Sequence, residues 1–191
     1  MKEGYYNNLK RNIYITRKSR IILSEQLLKK NKCWNYINFI YSLCLIGLAI
    51  LGLKASIGTI DYNLLMVFLS VSVTMISLYS NTQKYNERAL SLKFHYIKLQ
   101  SMYTKLSHLD FNIDFERIKK IEIEYLEELK LSENHSPRDR YFAIKWDTQE
   151  VEALKKIGWL NKIYYEISVH ENYISFIFFT SPILYFIKTV I

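Results

Sequence analysis

Two long stretches without a charged residue dominate the pattern of apolar and polar positions along the chain. In residues 34–53, ten of the twenty are Leu, Ile, Phe or Val, and a helix of this length spans about 30 Å of hydrocarbon. Residues 63–80 form the second stretch, which Ser and Thr dilute. Residues 54–62 connect them, and so short a connection favours antiparallel neighbours. The pattern predicts a hairpin of two transmembrane helices; for the first stretch, the alternative is a buried helix of a soluble bundle.

Residues 81–171 have helical periodicity and lack strand signals. No Gly or Pro occurs between Asp61 and Ser136, so we expect the second span to continue unbroken beyond the membrane. Spacings of four and three then predict a packing seam, either within the chain or in an oligomeric coiled coil. The seam consists of Tyr85, Ala89, Leu92, Tyr96, Leu99, Tyr103 and Leu106. Residues 1–33, a basic helix carrying Ile13, Ile22 and Leu27, offer an intramolecular partner.

Two more helices are predicted further along. An amphipathic helix carries Ile118, Ile121, Tyr125 and Leu129. A last helix should begin near Asp147, with Glu150 as its capping-box partner. The predicted fold class is therefore an all-α membrane protein, with an N-terminal two-helix transmembrane hairpin, a helical cytosolic domain and a hydrophobic C-terminal segment over residues 172–191. That segment is expected to be a third span, an interfacial segment or a tail packed on the hairpin.

The distribution of positive charge predicts the orientation of the hairpin. The net charge of +8 is compatible with nucleic acid or with anionic lipid as a partner. Nine Lys and Arg residues precede Trp34, and Lys84 and Arg88 follow the second span, whereas the connection carries only Lys54. Because Lys and Arg concentrate on the cytoplasmic side, we expect a multi-pass protein of the inner membrane whose N-terminus and main domain are cytoplasmic.

Polar residues recur on one face of each predicted span. Small and hydroxyl side chains at such spacing allow close packing of membrane helices. The alternative is that several hairpins assemble as a homo-oligomer and the polar faces line a water-filled pore. The pore-lining or helix-packing candidates are Asn38, Ser42, Ser70, Thr74, Ser77 and Asn81.

Residues with catalytic potential are sparse. The chain has no GxSxG motif, no phosphate-cradling Gly-rich loop and no paired Cys and His at metal-ligand spacing, so we expect no enzyme activity, no metal and no cofactor. One polar cluster, consisting of Glu133, Asn134, His135 and Asp139, is open to capping, ligand binding or catalysis. Arg138, Arg140 and Lys145 are candidate contacts for a phosphate-bearing ligand, or solvated surface charges.

Short motifs add a family resemblance. Arg17 and Arg20 before the first span, Asn86 and Glu87 after the second, and ENHSPRD at residues 133–139 resemble the SLATT family, in its branch linked to reverse transcriptases. These are two-transmembrane effectors associated with SMODS nucleotide synthetases and SLOG sensors in prokaryotic conflict systems. The resemblance implies a pore-forming antiphage effector that depolarises the membrane and causes abortive infection.

The resemblance also implies partners. A reverse transcriptase, a nucleotide synthetase or a nucleotide second messenger would act as the trigger, and the lipid bilayer and further copies of the chain would complete the assembly. The alternative function is a non-conducting membrane anchor or scaffold that recruits a reverse transcriptase or nucleotide synthetase. A third hypothesis is that the basic face binds RNA, which predicts an affinity that falls steeply with salt.

Overall fold

The computed structural model describes residues 2–54, 62–110, 113–131, 136–145, 157–169, 174 and 177. Within these residues the structure contains helices and no strand, which confirms the predicted all-α class. The helices are α1 (Lys2–Lys54), α2 (Tyr62–Gln83), α3 (Tyr85–Ser107), α4 (Phe115–Leu131), α5 (Pro137–Lys145) and α6 (Trp159–Val169).

The chain divides into two compact units. The first unit comprises residues 1–27 and 86–166, and the second comprises residues 28–85 and 167–191. Helix α1 contributes to both, because it runs without a break from Lys2 to Lys54.

The first unit is built around apolar contacts between α1, α3 and α4. Leu9 and Ile13 of α1 pack in one cluster with the other buried residues, which are Leu99, Met102, Leu106, Ile118, Ile121 and Tyr125. Most of the predicted seam of α3 is buried, including Leu92 and Leu99. The contact is therefore made within the chain, with the basic N-terminal helix as partner.

A second apolar cluster completes the first unit. Ile22 of α1 packs with Tyr141, Phe142 and Ala143 of α5, and Tyr165 of α6 lies against this group. Helix α5 has only nine residues, and these three are among its five buried side chains. The cluster attaches α5 and α6 to the N-terminal part of α1.

The second unit pairs the C-terminal part of α1 with α2. Ile37, Tyr41 and Leu48 of α1 form one buried cluster with Leu69 and Ile76 of α2. The Trp34 and Tyr79 rings meet edge to face with centroids 5.0 Å apart. Among the described residues, α1 is the one helix containing an 18-residue window that is apolar enough to cross a membrane, and 17% of that window is buried.

The predicted continuity between the second span and the following helix is wrong. Helices α2 and α3 are separated at Lys84, whose φ is 48° and whose N–H donates to the Asn81 carbonyl oxygen at 3.3 Å. A left-handed residue ends a helix in this way even when it is not glycine, at a cost of about 1–2 kcal/mol. The absence of Gly and Pro therefore did not exclude a break.

Three predictions concern residues outside the described part of the chain. These are the connection over residues 54–62 apart from its two ends, the capping box of Asp147 with Glu150, and residues 172–191 apart from Ile174 and Ile177. The last described helix, α6, begins at Trp159.

The left-handed conformation of Lys84 makes a stability prediction. Lys84→Gly should raise the free energy of unfolding by about 0.5–1 kcal/mol, because glycine adopts positive φ without a steric penalty. Lys93→Gly is the matched control, since Lys93 is exposed in the middle of α3, where glycine should cost about 1 kcal/mol. Thermal unfolding of both variants in detergent checks the signs; equal destabilisation would contradict the assignment of strain to Lys84.

Candidate functional site

Polar side chains of α1 and α2 meet at one edge of the second unit. Ser77 Oγ of α2 donates a hydrogen bond to Asn38 Oδ1 of α1 at 3.1 Å. Residues three or four positions apart share a helix face, so Ser42 continues the stripe on α1 while Thr74 and Asn81 continue it on α2. The hydrogen bond therefore places the two polar stripes side by side.

The hydroxyl groups of the stripe also bond to their own helices. Ser42 Oγ donates to the Asn38 carbonyl at 2.8 Å, Ser70 Oγ to the Val67 carbonyl at 2.8 Å, and Thr74 Oγ1 to the Ser70 carbonyl at 2.9 Å. A hydroxyl whose proton is bonded in this way costs less to place in lipid.

Exposure divides the six candidates of the stripe into two groups. Asn38, Ser42 and Ser77 are half-buried, whereas Ser70, Thr74 and Asn81 are exposed. The half-buried group supports packing of the two helices, whereas the exposed group lies on the same face of α2 as Ser77 without being covered by α1.

Large apolar side chains cover the outer surface of the same helices. They recur on α1 at spacings of three and four, and a similar set follows α2. The exposed residues are Tyr36, Phe39, Leu43, Ile46 and Ile50 on α1 and Val67, Phe68, Val71, Met75, Leu78 and Tyr79 on α2. A contiguous apolar surface of this kind marks contact with a membrane or another protein.

The first unit contains a buried cluster of charges. Arg20 and Glu128 are both fully buried. Glu128 is hydrogen-bonded to His95 Nδ1 through Oε1, and its Oε2 lies 2.5 Å from Lys98 Nζ. The cluster therefore joins α3 to α4 by ionic contacts, with the guanidinium of α1 close enough to act on the same carboxylate.

The charged groups of this cluster shift one another's pKa values. Burial lowers the pKa of Arg20, and the charge of Glu128 partly offsets that effect. Burial raises the pKa of Glu128, but hydrogen bonds and charges from Lys98 and His95 outweigh it and hold that pKa below its usual value. The buried carboxylate is therefore kept ionised by its cationic neighbours.

Other polar contacts tie α1 to the same region. Thr16 Oγ1 and the Tyr125 hydroxyl are hydrogen-bonded at 2.9 Å, and Ser24 Oγ donates to the Ala89 carbonyl at 3.0 Å. Arg17 donates to Gln100 and its guanidinium stacks over Tyr103 at 5.4 Å. The two arginines of the family-like pattern, Arg17 and Arg20, thus both serve the packing of the first unit.

Asp139 belongs to a capping box at the start of α5. The Ser136 N–H donates to Asp139 Oδ2 at 2.9 Å, and the Asp139 N–H donates back to Ser136 Oγ at 3.3 Å. Pro137 occupies the first helical position, which tolerates the missing N–H. Glu133, Asn134 and His135 lie outside the described residues. This geometry gives Asp139 a capping role, while the function of the whole motif stays a prediction.

The three candidate phosphate contacts on α5 have different surroundings. Arg138 donates to Gln26 of α1 and lies 3.8 Å from Asp139 Oδ1. Lys145 Nζ is 2.5 Å from Glu166 Oε1. Arg140 is exposed and, two residues from Arg138, points about 200° around the helix from it. The helix thus brings Arg138 and Lys145, seven residues apart, to one face and leaves Arg140 on the other.

The buried charges are the feature that sequence reasoning missed. Glu128 continues the apolar face of α4, three residues after Tyr125, where a carboxylate is unexpected. Thr16, Arg20 and Ser24 likewise recur every fourth residue on a face that is otherwise apolar. That spacing was the feature of the sequence from which the buried polar groups could have been predicted. Within the described residues, no group of three or more His, Cys, Asp or Glu side chains could hold a metal ion.

Comparison with known proteins adds one relationship. The family model of SMODS and SLOG-associating 2TM effector domain family 5 matches residues 2–187 of the chain. The match agrees with the resemblance to SLATT domains, while membership of the reverse-transcriptase branch stays a prediction. No curated protein and no solved structure matches the chain.

The charge cluster makes a prediction about stability and pH. Glu128→Gln should lower the free energy of unfolding by about 2–3 kcal/mol, since it removes the ionised partner of buried Arg20, although the exposure of Lys98 reduces the loss. Because the folded pKa of Glu128 lies below its unfolded value of about 4.3, its contribution is complete above that pH and disappears as pH falls through the folded pKa.

Denaturant unfolding at neutral and acidic pH measures both effects. Glu127→Gln is the control, because it removes the same charge from an exposed position one residue away on α4. A Glu128→Gln protein as stable as the control at neutral pH would show that the cluster contributes nothing.

Proposed function

The chain belongs to SMODS and SLOG-associating 2TM effector domain family 5, whose members are two-transmembrane effectors of conflict and defence systems, and on that basis we propose that it is a pore-forming membrane effector. In this proposal, a partner that senses nucleotides or nucleic acid triggers a homo-oligomer to depolarise the inner membrane of an infected cell. The chain itself performs no catalysis.

Contacts within the second unit support a transmembrane hairpin. Trp34 of α1 meets Tyr79 of α2, and Asn38, four residues later, meets Ser77, which precedes Tyr79 by two. Residue numbers thus rise along one helix as they fall along the other, as an antiparallel pair requires. The apolar outer surfaces of both helices suit lipid, and Trp34 with Tyr79 at one end suits the membrane interface.

The observation that carries the pore proposal is the Asn38–Ser77 hydrogen bond. It aligns the polar stripes of both helices along one edge of the pair. Copies arranged around an axis with this edge inward would line a path for water, with their apolar faces toward lipid. No charged residue occurs in residues 34–53 or 62–83, so the pore would select weakly among ions.

Helix α1 suggests how a trigger would reach the pore. The same unbroken helix carries Arg20 in the charge cluster and Asn38 in the polar stripe. A triggering partner must bind the open state more tightly than the closed one; a reverse transcriptase, a nucleotide synthetase or a nucleotide second messenger remains the proposed trigger.

Substitution of the exposed hydroxyl residues tests the proposal. Ser70→Leu with Thr74→Leu should reduce triggered depolarisation by about tenfold or more, because apolar side chains in a narrow pore expel water. Insertion should persist, since leucine favours the membrane more than serine or threonine. Phe68→Leu with Met75→Leu is the matched control, because these exposed apolar residues lie about 140–160° round the same helix from Ser70.

Membrane potential and entry of an impermeant dye, measured with and without candidate partners, give the readout. The pore is supported if depolarisation needs both the chain and the trigger, and if it is lost in the Ser70→Leu with Thr74→Leu protein but retained in the control variant. Intact potential despite confirmed insertion and an activated partner system would contradict it and favour the membrane anchor.

A further inference from the structure

Helix α6 has one face that holds it to the first unit. Tyr165 packs against Tyr141 of α5 with ring centroids 5.3 Å apart. Glu166 accepts a hydrogen bond from the Tyr141 hydroxyl at 2.8 Å and pairs with Lys145 at 2.5 Å. Burial and the nearby Glu166 carboxylate raise the pKa of Tyr141 to about 12, so the phenol remains a donor at physiological pH. These contacts fix the orientation of the helix.

The opposite face of α6 is apolar and exposed. Five large side chains are each between 48% and 68% exposed, and they are Trp159, Leu160, Ile163, Tyr164 and Ile167. At about 100° per residue, all five fall within about 140° of the helix circumference. Helix α6 thus combines a face attached to α5 with an exposed apolar face.

The residue types of this face suit the surface of a bilayer. Trp and Tyr place apolar rings and polar atoms at the level of lipid headgroups, and Leu and Ile bury beside them. Lys162 lies on the helix, and Lys155 and Lys156 precede it in the sequence, which matches the charge of anionic lipid. Glu166 lies at the edge of this arc, about 20° round the helix from Trp159, but its carboxylate is paired with Lys145, which compensates its charge.

Continuity along the chain also favours lipid as the occupant. Residues 172–191 follow α6 after His170 and Glu171 and are strongly apolar. Ile174 and Ile177, the two of them that the structure describes, are more than half exposed. Membership of a two-transmembrane family indicates that the chain is associated with a membrane, which makes lipid an available partner for α6.

We propose that α6 is an interfacial helix that lies on the bilayer surface, with its Trp159, Leu160, Ile163, Tyr164 and Ile167 face inserted at the level of the headgroups. This contact is separate from the hairpin. It rests on the membrane location in the proposed function and not on pore formation.

Tryptophan fluorescence of the full chain in nanodiscs tests this contact. Trp34→Phe with Trp146→Phe leaves Trp159 as the sole tryptophan of the three in the chain. In nanodiscs of phosphatidylcholine and phosphatidylglycerol, acyl chains brominated near the headgroup should quench Trp159 strongly, and chains brominated near the methyl end should quench it less. Aqueous iodide should quench it weakly.

Two matched variants separate apolar insertion from changes of charge. Leu160→Glu with Ile163→Glu should abolish quenching by brominated lipid and restore access to iodide. Asn161→Glu adds a carboxylate to an exposed position, about 100° further round the helix than Leu160 and off the apolar arc, and should leave quenching unchanged. Loss of quenching in both variants would overturn the proposal, since charge alone would then account for it.

A second single-tryptophan protein keeps the two proposals distinguishable. A chain retaining only Trp34 reports on the proposed span, and its quenching by lipid without quenching of Trp159 would overturn the interfacial helix while leaving the hairpin intact. A Trp159 shielded from both iodide and brominated lipid would mean that protein covers the face, which also overturns the proposal. Failure of Trp34 quenching alone would count against the span.

Discussion

In the proposed transmembrane hairpin, the backbone of α1 has to keep its hydrogen bonds satisfied in two environments. An α-helix closes its hydrogen bonds within itself, so the same main chain is stable among polar side chains and in hydrocarbon. The 53 residues of α1 use this property without a break, and at 1.5 Å per residue they extend about 80 Å. What changes along the helix is the side-chain surface, from one that buries Arg20 to one that exposes Phe39 and Ile46.

The parts of the fold that follow from periodic local patterns could be predicted from the sequence. Leu92, Leu99 and Leu106 on α3, and Ile118 and Ile121 on α4, are buried as their spacing indicates. Periodicity works here because burying one stripe of a helix is a local choice that needs only some apolar partner. The break at Lys84 was not predicted, because the penalty for positive φ is small enough for a lysine to adopt it.

Contacts between distant residues could not be predicted in the same way. The buried carboxylate of Glu128 is hydrogen-bonded to His95 and paired with Lys98, both on another helix, and no local pattern identifies those partners. Arg138 and Lys145 illustrate the same limit, since their neighbours Gln26 and Glu166 come from other helices. The capping role of Asp139 could be predicted from the sequence, because Ser136, Pro137 and Asp139 together form a local signal for the start of a helix.

Packing and pore lining are compatible roles for the polar stripe. The hydrogen bond between Asn38 and Ser77 joins α1 to α2. Ser70 and Thr74 are exposed, and their hydroxyl groups donate to backbone carbonyls of α2. Such residues tolerate an apolar neighbour in a closed assembly, yet their oxygens still accept bonds from water in an open one. In the proposed pore, we expect a small free-energy difference between the two arrangements, so that a partner with a modest preference for the open state is enough to shift it. A stripe containing charged residues would favour the hydrated arrangement far more strongly, so the absence of charge is what makes this edge suited to a triggered opening.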